Sequence, residues 1–201
     1  MLAPDSPPTT VPLGLTAPYV TIAACDPTAR RAVLVQPMSD TVPAPLDAPR
    51  QALLVDLSTG SIVTRVPIGD TTHGVVYSLD CRYVAKVDYA LGTSSIVSLL
   101  SGRTVWTDRA EIRSFSADDT RVVENSRFEP LGKAPDTTRV LDWSTSRVLY
   151  STNGHTTQAS PQPTGAAMAL SVRRTAPDGP TDVVIVPASG AAAVLPGAAL
   201  F

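Results

Sequence analysis

Apolar residues come in bursts of four to seven, rich in β-branched side chains and closed off by Gly, Pro, Asp or Asn. Tyr19–Ala24, Ala32–Gln36, Ala52–Leu57, Tyr83–Val87, Ile96–Leu100, Arg121–Glu124, Arg139–Trp143 and Asp182–Val186 are examples. An amphipathic helix instead needs longer segments with apolar positions at i, i+3, i+4 and i+7. Short β-branched runs between turn residues are strand signals. The pattern predicts an all-β chain.

These bursts recur in order. Four segments carry an apolar strand into a small-residue turn: Val55–Gly60, Val97–Gly102, Leu141–Ser146 and Ile185–Gly190. Their last residues, at 60, 102, 146 and 190, lie 42, 44 and 44 positions apart. A second anchor precedes each: Ala24-Cys25-Asp26, Ser78-Leu79-Asp80, Ser116-Ala117-Asp118 and Ser160-Pro161-Gln162, at spacings of 54, 38 and 44. A period of roughly 43 admits either paired helices or four-stranded units, and the burst lengths select the sheets. Glycine at the later turn supplies the positive φ that a tight hairpin requires. Ser146 replaces it in the third unit, so that turn is expected to be the least ideal.

This order resembles the β-propeller superfamily in its WD-repeat or surface-layer (YVTN-type) versions. A blade of that family runs as inner strand a, a Ser-x-Asp-like turn, strand b, strand c, a Thr-Gly-like turn and outer strand d. Val75–Ser78, Asp80, Tyr83–Val87, Ile96–Leu100, Ser101-Gly102 and Thr104–Trp106 follow it, as do Ile112–Ser116 through Arg147–Tyr150. The resemblance implies about four four-stranded antiparallel blades over 18–70, 71–109, 110–152 and 153–196. Before them stands a Pro/Thr-rich lead-in (1–17), whose Thr10–Leu15 could add an edge strand, and after them a short tail (197–201). Gly154-His155 matches the Gly-His pair with which WD-repeat blades often begin, and Thr72-His73-Gly74 is a looser version. The resemblance therefore implies that His73 and His155 pin blade edges, while Asp80 and Asp118 hold the a–b turns. The Trp-Asp dipeptide is inverted to Asp142-Trp143 in one blade and absent elsewhere. Four blades stand at the low end of the fold's range. A small closed ring, part of a larger propeller, and a half-propeller that closes on a second copy all remain open.

Composition narrows the function. A net charge of −2, 17% charged and 5% aromatic residues leave no basic stripe with interleaved aromatics, so no nucleic-acid partner is expected. Val183–Phe201 has no charge over 19 residues, but Pro187, Gly190, Pro196 and Gly197 interrupt it, so no membrane span is expected. Met1–Pro8 lacks the basic and apolar regions of a secretory signal. There is no Cys-x-x-Cys, His-x-x-x-His, calcium-loop or phosphate-cradling glycine pattern, so no metal or cofactor is expected. Cys25 and Cys81 fall near the a–b turns of consecutive blades, and the repeat alignment raises a disulfide between them. Such a bridge favours an extracytoplasmic location.

In a propeller the b–c and d–a loops share one face, and loops on a rigid scaffold carry binding. Three b–c loops supply the candidate contacts: Asp40, Asp47 and Arg50 in the first, Arg127 and Phe128 in the third, Arg173 and Arg174 in the fourth. The two arginines could grip an acidic or phosphorylated partner or simply face solvent. With no Gly-x-Ser-x-Gly elbow to localise a nucleophile, the expected function is a non-catalytic scaffold that binds a protein or small ligand. A propeller-type hydrolase or lactonase using His73 or His155 is the alternative. A structural fragment of a larger assembly is the second alternative.

Overall fold

A computed structural model describes residues 21–25, 30–39, 45, 47–70, 73–126, 136–174 and 180–197, with the backbone alone at 21–25 and 73. These residues form sixteen strands in four antiparallel sheets, each made of four consecutive strands, and no helix occurs among them. The first sheet is β1 (Thr21–Cys25), β2 (Arg31–Pro37), β3 (Arg50–Asp56) and β4 (Ser61–Gly69). The second is β5 (His73–Tyr77), β6 (Tyr83–Asp88), β7 (Thr93–Ser98) and β8 (Thr104–Asp108). The third is β9 (Glu111–Phe115), β10 (Arg121–Asn125), β11 (Thr137–Asp142) and β12 (Arg147–Asn153). The fourth is β13 (His155–Pro161), β14 (Met168–Arg173), β15 (Thr181–Val186) and β16 (Ala193–Leu195).

The middle strands of the second and third sheets are apolar on both faces because a sheet stacks on each side of them. In the second sheet the pair Val84–Val97 packs toward the first sheet, while Ala85–Ile96 packs toward the third. In the third, Val122–Leu141 turns back to the second sheet and Val123–Val140 forward to the fourth, against Leu170 and Val184. An alternating polar face would have left desolvated polar groups at these interfaces. Among the described residues, substantial packing follows chain order, first to second to third to fourth sheet. Outer strands β8, β12 and β16 are largely exposed.

Each c–d hairpin turns on one positive-φ residue: Gly60 (72°), Gly102 (69°), Ser146 (56°) and Gly190 (90°). Ser146 therefore adopts a left-handed conformation that costs a Cβ-bearing residue about 1 kcal/mol. Its hydroxyl accepts a hydrogen bond from the Trp106 indole at 3.2 Å, tying this turn to the neighbouring sheet.

The a–b turns correct one alignment. Ser78 N–H bonds the carbonyl of Tyr83 and Ser116 N–H that of Arg121; in the fourth sheet the equivalent bond runs from Gln162 to Ala167. Ser160 and Pro161 belong to β13, so the turn is Gln162–Ala167 and not Ser160-Pro161-Gln162. Gly165 (φ 78°) stands where Cys81 and Asp119 stand at φ 60°. Proline is tolerated in β13 because an inner strand has a free edge. Cys25 is likewise not the counterpart of Cys81. It closes β1 opposite Ala32, as Tyr77 closes β5 opposite Val84.

Candidate functional site

The start of each inner strand decides the chemistry at the b–c and d–a end of the blades. His73, Glu111 and His155 are the first residues of β5, β9 and β13. Only the backbone of His73 is described. His155 is buried, and its neighbours fix its tautomer. Asn125 Oδ1 accepts from the Thr156 N–H at 3.0 Å, which turns the Asn125 amide nitrogen toward His155 Nε2 at 3.3 Å. Nε2 must therefore accept, and the proton on Nδ1 is donated to Asp136 Oδ2 at 2.5 Å. Asp136 also receives the Ser126 hydroxyl at 2.9 Å and the Thr137 N–H at 2.8 Å. Thr138 completes the cluster, donating to the carbonyl of Gly154 at 2.9 Å. Both imidazole nitrogens are thus engaged, Nδ1 by a carboxylate and Nε2 by an amide. Gly154 lets the chain in: at φ 133°, a Cβ there would stand 2.6 Å from the Arg173 carbonyl oxygen.

The equivalent position in the third sheet is built differently. Glu111 is 2% exposed. Its Oε1 pairs with Arg113 at 2.7 Å and accepts from the Tyr89 hydroxyl at 3.4 Å, whereas Oε2 is buried without a hydrogen-bond partner. Gly92 precedes β7 as Asp136 precedes β11, so glycine stands here where the aspartate stands beside His155. In its place a cleft of about 300 Å³ opens between β5 and β9, lined by Gly74, Val75, Val76, Val87, Ile112, Tyr89, Glu111 and Arg113. A Cβ on Gly74 would reach 2.7 Å from the Tyr89 hydroxyl, so glycine is what allows the tyrosine to lie across the strand. Glu111 was not among the expected contacts. A signal for it existed: positions 73, 111 and 155 repeat with the same 38 and 44 spacing as the second anchor.

A second buried carboxyl, Glu124, lies between the second and third sheets beside Arg139, which also meets Asp108 at 3.3 Å. Burial pushes Glu124 up to about 7 against the pull of Arg139.

At the opposite end of the sheets, the a–b turns meet. Asp80 accepts from Arg82 N–H at 3.0 Å, and Asp118 from Thr120 N–H at 3.2 Å. Asp118 N–H bonds the Gly165 carbonyl at 3.2 Å, joining the third and fourth turns. Asp119 is buried near Asp80 and Arg82; burial first, and then Asp80, raise its carboxyl to about 8. Burial would raise Asp80 too, but hydrogen bonds from Asp119 and Arg82 hold it below the usual aspartate value.

The other expected residues are scattered. Asp47 is exposed. Arg50 is half-buried and bonds the Asp70 carbonyl at 2.5 Å. Arg173 ends β14, and Arg174 is ion-paired to the buried Asp182. Asp40, Arg127 and Phe128 lie outside the described residues, as does Thr10–Leu15. Of the Cys25–Cys81 pair, Cys81 is buried in its turn and the side chain of Cys25 lies outside the described residues. Among the described residues, no three His, Cys, Asp or Glu side chains converge as a metal site, and no helix is long and apolar enough to cross a membrane.

No family model matches the sequence, and no curated protein matches it significantly. Solved structures do. The β-propeller domain of the Trilobed protease from Pyrococcus furiosus, described as having an open velcro topology, matches with a TM-score of 0.51 and 13% identity, covering 90% of this chain and 58% of that one. Pyrococcus horikoshii acylaminoacyl peptidase matches with a TM-score of 0.51 and 13% identity, covering 88% of this chain and 32% of that one. The chain thus spans between a third and just over half of these proteins. Four stacked, four-stranded antiparallel sheets with these likenesses give the chain a β-propeller fold of about four blades.

Proposed function

We propose that this chain is a non-catalytic binding module that presents the b–c and d–a end of its blades to a protein or small ligand. One contrast carries the reading. His155 is closed in by Asp136 and Asn125, whereas the matching Glu111 opens onto a cleft with a tyrosine, an arginine and an unsatisfied oxygen. In this reading His155, Asp80 and Asp118 are framework residues, and Tyr89 and Arg113 make contacts. Panning a random-peptide library against the whole immobilised chain tests it. The expected result is an enriched sequence whose binding is lost in Tyr89→Ala and Arg113→Ala. Failure to enrich any sequence, or turnover of ester, lactone or peptide substrates that disappears in His155→Ala, would overturn it.

A second reading, that these blades are one portion of a larger propeller, draws support from the chain-order packing. No substantial contact joins the fourth sheet to the first among the described residues. Solution mass decides: a monodisperse monomer whose fourth blade is closed on its first counts against it.

A further inference from the structure

We infer that the cleft between β5 and β9 receives a carboxamide, the group that ends an asparagine or glutamine side chain. The inference rests on the binding-module reading and names the chemistry of its ligand. Glu111 Oε2 is a buried acceptor with nothing to accept from, while Oε1 already serves Arg113 and Tyr89. Leaving such an atom unsatisfied is costly, and a donor that arrives with the ligand removes that cost.

Charge selects the donor. Glu111 and Arg113 neutralise each other, so an ammonium group would leave the cleft with a net positive charge, and a carboxylate has no proton to give. A carboxamide is uncharged. It donates an N–H to Oε2 and places its carbonyl beside the guanidinium of Arg113, which is 29% exposed and keeps further N–H groups to donate. A hydroxyl can also donate to Oε2 and accept from Arg113, but it does both through one atom and so bridges a shorter span than an amide, whose N–H and carbonyl oxygen are separate. The half-buried Val75 and Val76, with the buried Val87 and Ile112, form apolar walls suited to a methylene stem. About 300 Å³ accommodates one side chain and excludes a folded segment.

The test is a titration of the isotope-labelled whole chain with propionamide, propylammonium chloride, sodium propionate and 1-propanol, followed by backbone amide shifts. Propionamide is expected to give saturable shifts at Gly74, Ile112 and Arg113, binding about tenfold tighter than the other three probes, the worth of one hydrogen bond to a charged group. Glu111→Leu should abolish those shifts. If that variant does not fold, Arg113→Met keeps the argument open to refutation. It leaves the Glu111 charge uncompensated, so preference should pass to propylammonium. Preference of the unaltered protein for ammonium, carboxylate or alcohol, absence of saturable shifts, or an Arg113→Met variant that still prefers the amide would each overturn the inference. Library peptides that bind but ignore Glu111→Leu would overturn the amide assignment alone. Turnover of substrates would remove the binding-module reading with it.

Discussion

Gly154 and Asp136 show how little latitude a single position has where two blades meet. Alanine at 154 must accept φ 133° and a Cβ 2.6 Å from a backbone oxygen, which cannot retreat as a side-chain tip can. Gly154→Ala is expected to cost about 3 kcal/mol or more, read from urea unfolding midpoints. Asp136→Ala removes the buried carboxylate that His155 Nδ1–H bonds and should cost about 3 kcal/mol by the same measurement. Asp119 gives a pH signature with a definite sign. Its carboxyl titrates near 3.8 when unfolded and near 8 in the folded chain, so between those values the folded state holds the extra proton. Stability conferred by this group is complete below about pH 4 and is lost as the pH rises through 8. Glu124, raised to about 7, adds a loss of the same sign that ends a little earlier. Asp119→Asn keeps the shape, suits φ 60° and cannot ionise. It is expected to flatten the fall and to melt higher than the unaltered protein at pH 9.

At the scale of strands and turns, the c–d hairpin of the third sheet sets two effects against each other. Ser146→Gly relieves a strained φ worth about 1 kcal/mol but gives up a half-exposed bond to Trp106 worth about 0.5 kcal/mol. A small net gain in urea midpoint is expected. The strands were legible because their middle members are buried on both faces. Val84-Ala85 and Val122-Val123 have no polar position to interrupt the run, and no other short element needs that composition. The c–d turns were legible for a similar reason, since positive φ selects glycine. The fourth a–b turn was not: Gln162-Pro163-Thr164-Gly165 makes the same bend without Ser-x-Asp side chains, because glycine reaches without their help the positive φ that Cys81 and Asp119 adopt. The candidate site was hardest to see. Glu111 reads in sequence as one more charged residue before a strand. Only the packing of Tyr89 over Gly74 and the loss of an aspartate at Gly92 make it a buried group beside a cleft.

For the molecule as a whole, stacking in chain order makes each blade answer mainly to its neighbours. Arg121 is a clip between the third and fourth: its guanidinium donates to the Pro187 carbonyl at 2.8 Å and the Ala188 carbonyl at 2.6 Å. Arg121→Ala should speed amide exchange in β13–β16 while leaving β5–β8 at their original rates. A uniform change across all blades would instead mark a single cooperative unit. In both proteins the exposed outer strands should exchange before the middle strands. The assembly of every described sheet from four successive strands, with none borrowed from another, has a consequence for descent. A cut at Gly154, the single residue between β12 and β13, would separate whole blades and divide no hairpin. One in-frame duplication or deletion could therefore lengthen or shorten the array by a complete module, and the gene could explore ring sizes while each copy kept its own hydrogen bonds.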